Sequence, residues 1–130
     1  MVKFEDALEL EYLDGHNWKV TADFYYDTDI KLRGFGTLGY RNRIMVPAGF
    51  ITDFASIPKI LWNVLPPTGG YGKAAVIHDW LYRTKGIATR KQADDVLMEA
   101  MIFLKVDWWT RWVIYGGVRV GGASSYKGGL

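Results

Sequence analysis

AAVIHDWLYRTKGIATRKQADDVLMEAM, residues 74–101, decides the fold, because it reads as two short helices joined at a glycine. In the first, Leu81 follows Ile77 and Trp80 follows Val76 at four-residue spacing, which gives an apolar side. His78 and Tyr82 share another side, also one turn apart. Gly86 is the expected stop for this helix, and Thr89 with Gln92 three residues later forms a capping box that starts the next. The break is therefore expected between Arg83 and Thr89.

The second helix carries an apolar stripe of Leu97, Met98, Met101 and Leu104, and one turn back from Leu97 stands Asp94. A carboxylate at the head of a core-facing stripe needs a donor, since an unpartnered buried charge is too costly to keep. A short connection makes the two helices neighbours, so His78 and Tyr82 are the expected donors. Asp95, about 100° further round in line with Glu99, is expected to face solvent.

The chain has 130 residues, 49% of them hydrophobic and 15% aromatic, enough for one packed core and marginal for two. A single domain over residues 1–130 is expected, with a mobile Gly/Ser-rich tail from about residue 121. The net charge of +2 comes without a Lys/Arg cluster, so no nucleic-acid partner is expected. Without cysteine there is no disulfide framework, thiolate zinc site or cysteine nucleophile. The first ten residues hold three acids and no apolar run, so no signal peptide is expected, and the apolar stretch at 106–122 is broken by Arg111 and Arg119 and too short for a transmembrane segment.

The first half alternates in the manner of strands at about 7–13, 18–26, 30–35 and 43–46, with turns at Asp14-Gly15-His16-Asn17 and at 27–29. His16 is read as a turn residue. Gly34-Phe35-Gly36-Thr37-Leu38-Gly39 spells the dinucleotide pattern, yet a strand and no helix follows, so nucleotide binding is not expected. Residues 46–58 form an irregular crossing between prolines, where Asp53 lies between Ile51 and Phe54; a turn or cap role and a role as metal ligand or site acid are both open to it. Residues 60–65 suggest a short helix ended by Pro66 and Pro67, and Thr68-Gly69-Gly70-Tyr71-Gly72 serves either as a ligand loop or as a linker. From Asp107, an expected cap, a last helix runs to about Val120, with Trp108, Trp112 and Tyr115 along one side; packing of that side in the core is expected, with lipid or partner contact the alternative. The fold class is then α+β: a small antiparallel sheet from the N-terminal half packed on three or four helices from the C-terminal half.

A neutral imidazole takes a proton from water when a carboxylate holds its other nitrogen, so His78 with Asp94 forms a candidate general base and orienter, with Tyr82 bonding the same carboxylate. Asp79 points elsewhere and is a candidate cation ligand. The pattern His78-Asp79-x-x-Tyr82 with Asp94 on a second helix resembles the phospholipase A2 superfamily. That resemblance implies His78 as base, Asp79 as a Ca²⁺ ligand near the Gly-rich loop, Asp94 and Tyr82 as supporting residues, and phospholipid as substrate. The chain departs from the family in having no cysteine and in a Gly-rich loop unusually close to His78. A second resemblance, over roughly residues 13–121, rests on residues 46–58, 75–82 and 90–94. These look like a family of uncharacterised small proteins encoded mainly by bacteriophages and prophages. It implies a phage origin and a polar centre of Asp53, His78, Asp79 and Asp94, but no reaction.

Three functions are expected from these residues: a hydrolase of phospholipid esters; a non-catalytic virion module of tail or baseplate, contacting other virion proteins, whose His/Asp network is structural; and a metal-dependent hydrolase of another bond with Asp53, His78 and Asp79 holding Zn²⁺ or Mn²⁺. The expected location is the host cytoplasm or the virion.

Overall fold

The computed structural model describes residues 2–4, 7–15, 17–32, 43–53 and 71–127. The expectations for His16, for the glycine pattern at 34–39, and for residues 54–58, 60–65 and 68–70 lie outside the described residues.

Among the described residues, two small antiparallel sheets and three α-helices make up the α+β fold. Strands β1 (Lys3–Phe4), β4 (Phe24–Asp27) and β5 (Arg43–Val46) form one sheet in the order β1-β4-β5, while β2 (Leu10–Asp14), β3 (Asn17–Val20) and β6 (Ile51–Thr52) form the other in the order β2-β3-β6. The single strand expected over 18–26 is thus two, because the chain changes sheets at residues 21–23. Val20 still exchanges backbone bonds with Phe50 and Gly49 at 2.8 and 2.7 Å, whereas Phe24 pairs with Val46. Asp23 closes the crossing by accepting from the Ala48 amide at 2.8 Å. Gly15 takes φ +53° in the β2–β3 turn, a conformation that glycine adopts without the Cβ penalty. Residues 30–32 are not in a strand.

Helices α1 (Gly72–Arg83), α2 (Arg90–Phe103) and α3 (Trp108–Gly121) come after the sheets. The break between the first two falls where expected: Gly86 has φ +83°, and the capping box closes with Gln92 N–H on Thr89 Oγ1 at 3.1 Å and Thr89 N–H on Gln92 Oε1 at 3.0 Å. Asp107 caps α3 by accepting from Thr110 N–H at 3.0 Å.

α1 is the central helix. Every residue from Ala74 to Asp79, with Leu81 and Tyr82, is buried, so the side bearing His78 and Tyr82 is as enclosed as the apolar one. The core joins these to Val20, Phe24, Tyr26, Ile44 and Val46 of the sheets and to Val96, Leu97, Ala100 and Met101 of α2. Asp94 lies in that same buried stripe.

α3 departs from expectation. Trp108, Trp109 and Trp112 are 64, 65 and 50% exposed, and the residues it buries are Ile114 and Val118. Those two stand four apart and form the true inner seam. A run of large apolar residues fixed the helical period but left two sides competing for the core, and the smaller aliphatic pair fits against α2 where an indole would overfill it. The segment after α3 is also docked over its described part. The Lys127 amide donates to the Tyr82 carbonyl at 2.6 Å, the Tyr126 hydroxyl donates to the Ala88 carbonyl at 2.6 Å, and the Tyr126 ring stands edge-on to Tyr82. No described helix is long and apolar enough to cross a membrane.

Candidate active site

His78 and Asp79 are consecutive on α1, so their side chains leave the helix about 100° apart and enter two different polar networks. Both are buried.

The first network centres on Asp94. Its Oδ1 lies 2.7 Å from His78 Nε2 and accepts the Tyr82 hydroxyl at 2.5 Å, while Oδ2 accepts Arg119 Nη1 at 2.7 Å. His78 and Asp94 are both fully buried. Burial pushes the Asp94 carboxyl up, but the bonds from His78, Tyr82 and Arg119 together outweigh it and hold the group below its ordinary range. Asp94 is therefore the carboxylate, an acceptor only, and Nε2 of His78 carries the hydrogen between them. The Tyr82 hydroxyl is pushed up by burial and by its bond to that carboxylate, so it stays a donor. Its ring packs tilted on the imidazole with centroids 4.1 Å apart. His78 and Tyr82, one helical turn apart, thus reach the same oxygen of an acid on the neighbouring helix.

The second network runs through Arg83. Asp79 Oδ2 accepts the Thr52 hydroxyl at 2.5 Å, and Asp79 Oδ1 lies 3.4 Å from Arg83 Nε, one turn along α1. Arg83 Nη2 meets Asp53 Oδ1 at 2.5 Å, Nη1 donates to the Ile51 carbonyl at 2.8 Å, and the guanidinium covers the Phe50 ring. Burial pushes the Asp79 carboxyl up, with the Thr52 bond and the Arg83 charge opposing only part of that push.

The two expected metal ligands, Asp79 and Asp53, do share a centre, but the cation between them is a guanidinium. A hard divalent ion needs carboxylate oxygens converging on one open point. Each acid already shares an oxygen with Arg83 or Thr52, and residues 68–70 of the Gly-rich loop expected beside a cation lie outside the described residues. Among the described residues no group of three His, Asp or Glu side chains is placed to hold a metal ion.

Sequence reasoning misses three contributors: Arg119, Arg83 and Thr52. Arg83 has a local signal, since it stands four residues after Asp79 on the same helix, the spacing of an intrahelical ion pair. Arg119 has a weaker one, as a charge inside the apolar 106–122 stretch. Thr52 has none.

A family model described as "Protein of unknown function (DUF1353)" matches residues 18–118. The chain belongs to the DUF1353 family. That match spans every residue of the Asp53–Arg83–Asp79 network and of the His78–Asp94–Tyr82 core. Arg119 falls one residue beyond it. No curated protein and no solved structure matches the chain.

Proposed function

We propose that this DUF1353 protein is an ester hydrolase in which His78 is the general base and Asp94 its orienter. The observation that supports the reading is the 2.7 Å contact of His78 Nε2 with an Asp94 carboxylate whose remaining oxygen capacity is taken by Tyr82 and Arg119. Such a shell holds the imidazole in one tautomer and one orientation. In the reaction, His78 removes a proton from water as the water oxygen attacks the ester carbonyl. The imidazolium returns that proton to the alkoxide as the C–O bond breaks. Asp94 stabilises the imidazolium through Nε2–H. A positioned base of this kind is worth about 10²–10⁴ in rate. The phospholipase A2 likeness of His78, Asp79, Tyr82 and Asp94 supports phospholipid as the substrate. The motifs shared with phage proteins support a phage origin and action in the host cytoplasm or from the virion.

A second reading has its own observation, the complete burial of both His78 and Asp94. In that reading the network is a structural clasp inside a virion module that meets other virion proteins. One experiment separates them: hydrolysis of phospholipid vesicles and of a soluble short-chain ester by the wild-type chain and by His78→Gln, with thermal denaturation of both. The hydrolase reading expects wild-type turnover that falls at least about 100-fold in a variant that remains folded. Absence of wild-type turnover on both esters, with a large loss of melting temperature in the variant, would establish the clasp.

A further inference from the structure

An open groove of about 360 Å³ lies on the outer side of the α2–α3 pair, lined by Asp95, Met98, Glu99, Ile102, Trp112 and Tyr115. It shares no lining residue with the His78–Asp94 centre, so a ligand there is independent of the hydrolase reading. We infer that this groove binds an organic ammonium cation, the charged group of a choline-type lipid headgroup or of a free quaternary amine.

The lining supplies the two features such a cation needs. The first is aromatic surface: Trp112 is half exposed, and its ring stands at 89° to Tyr115 with centroids 5.8 Å apart, so the groove has two aromatic walls of different orientation. The Tyr115 ring is fixed by its hydroxyl, which donates to Asp95 Oδ1 at 2.8 Å. The second is negative charge, carried by Glu99 and by an Asp95 that Lys91 pairs on one oxygen. Glu99 accepts from the Tyr26 hydroxyl at 2.7 Å, the Thr28 hydroxyl at 2.6 Å and the Asp29 amide at 3.2 Å. These three donors are neutral, so they fix the carboxylate in place without adding a positive charge. Asp95 shares its other oxygen with Lys91 at 2.7 Å, so Glu99 is the principal negative group of the groove.

The ligand's chemistry is set by what the remaining walls refuse. Met98 and Ile102 offer no oxygen to a metal ion, and a compact, strongly hydrated ammonium gains little from apolar contact. A quaternary ammonium is large and weakly hydrated, gains from aromatic faces, and accepts Met and Ile as neighbours. The volume is more than ten times the roughly 30 Å³ share of one water, which suits an organic ion.

The test titrates the full chain with choline and with its uncharged isostere 3,3-dimethylbutan-1-ol, following the Trp112 indole resonance by NMR. Choline is expected to saturate the shift and to bind at least about tenfold more tightly than the alcohol. Trp112→Ala and Glu99→Gln are each expected to weaken choline at least fivefold, whereas Trp109→Ala, an exposed indole outside the groove, leaves it unchanged. Gln keeps an acceptor for Tyr26 and Thr28, and should Glu99→Gln fail to fold, Trp112→Ala decides alone. Sedimentation with phosphatidylcholine and phosphatidylglycerol vesicles identifies the source. Phosphatidylcholine-selective retention that choline displaces marks a lipid headgroup, and choline binding without retention marks a free amine. Equal affinity for choline and the alcohol, or no choline binding, overturns the inference.

Discussion

Two aspartates sit one network apart in the same core, and the same isosteric change should treat them in opposite ways. The fold favours Asp94 as a carboxylate, with its carboxyl held below the ordinary range, and disfavours Asp79 as one, with its carboxyl pushed above it. Asp94→Asn leaves one oxygen to serve His78, Tyr82 and Arg119. If that oxygen stays with His78 and Tyr82, the amide hydrogens face Arg119; if it turns to Arg119, the amide faces two donors and forces His78 into the other tautomer. Losing one member of a buried ion pair costs about 3–5 kcal/mol. Arg119 keeps about a third of its side chain in water, which recovers part of this, so a loss of about 3 kcal/mol is expected. That is a fall of roughly 10–15 °C in melting temperature for a domain of this size. In Asp79→Asn the side-chain oxygen still accepts from Thr52 and the charge the fold disfavours is gone, so stability is expected within about 1 kcal/mol of wild type. Urea denaturation of both variants at pH 7 is the assay. An Asp94→Asn loss under about 1 kcal/mol, or a larger loss for Asp79→Asn than for Asp94→Asn, would refute the assignment of charge to the two sites.

The pH dependence has the same signs. A depressed folded value makes the Asp94 contribution present above its ordinary 3.8 and lost as pH falls through the lower folded value, so the gap between wild type and Asp94→Asn should narrow in acid denaturation below that point. Asp79 behaves in reverse: its contribution is complete below 3.8 and lost as pH rises through the raised folded value, so Asp79→Asn should gain on wild type as pH rises above 3.8 in a urea titration. Gly122→Ala would set a Cβ 2.5 Å from the Val118 carbonyl and 2.7 Å from the Tyr82 hydroxyl, costing about 1–3 kcal/mol, whereas Gly116→Ala meets nothing within 4 Å and should stabilise α3 by about 0.5–1 kcal/mol; paired melting curves check both. With Arg83 between Asp79 and Asp53, Ca²⁺, Zn²⁺ and Mn²⁺ should leave the melting temperature unchanged. A rise equivalent to about 2.7 kcal/mol, the effect of a ligand at 100 times its dissociation constant, would reinstate the metal site.

Local chemistry is legible in the sequence. The capping box at Thr89 and Gln92, the stop at Gly86, the cap at Asp107 and the strand at Arg43–Val46 each depend on neighbours within a few residues. The His78–Asp94 pairing was readable because an acid heading an apolar stripe demands a donor, and the facing helix offered few. Strands of two residues, β1 and β6, carry no period to detect, and the sheet change after Val20 is set by Phe50 on Val20 and Ala48 on Asp23, about 25 to 30 residues away. Tryptophan misled because the spacing of Trp108, Trp112 and Tyr115 reports a side of a helix and not whether that side is covered. Arg119 escaped because only the docking of α3 brings it to Asp94.

That docking explains how a helix rich in exposed indoles holds its place. Its fully buried residues are Ile114 and Val118, worth about 1.5–3 kcal/mol each. Among the described residues, polar contacts join it to the first turns of α2 as well: Arg119 on Asp94, Tyr115 on Asp95, and Arg90 Nη2 on the Val118 and Arg119 carbonyls at 2.8 and 2.6 Å. Tyr115 and Arg119 are one turn apart and grip consecutive acids, so one side of α3 reads the start of α2 as a pair of charges. Neutralising Asp94 therefore removes a hold on α3 as well as the orienter of His78. In Asp94→Asn, amide exchange should accelerate in α3 around Val118–Gly121 before it does in the centre of α1, which the buried apolar residues Ala74–Ile77 and Leu81 also hold. Uniform acceleration of both helices would mean that Asp94 supports the whole core and not the seating of α3.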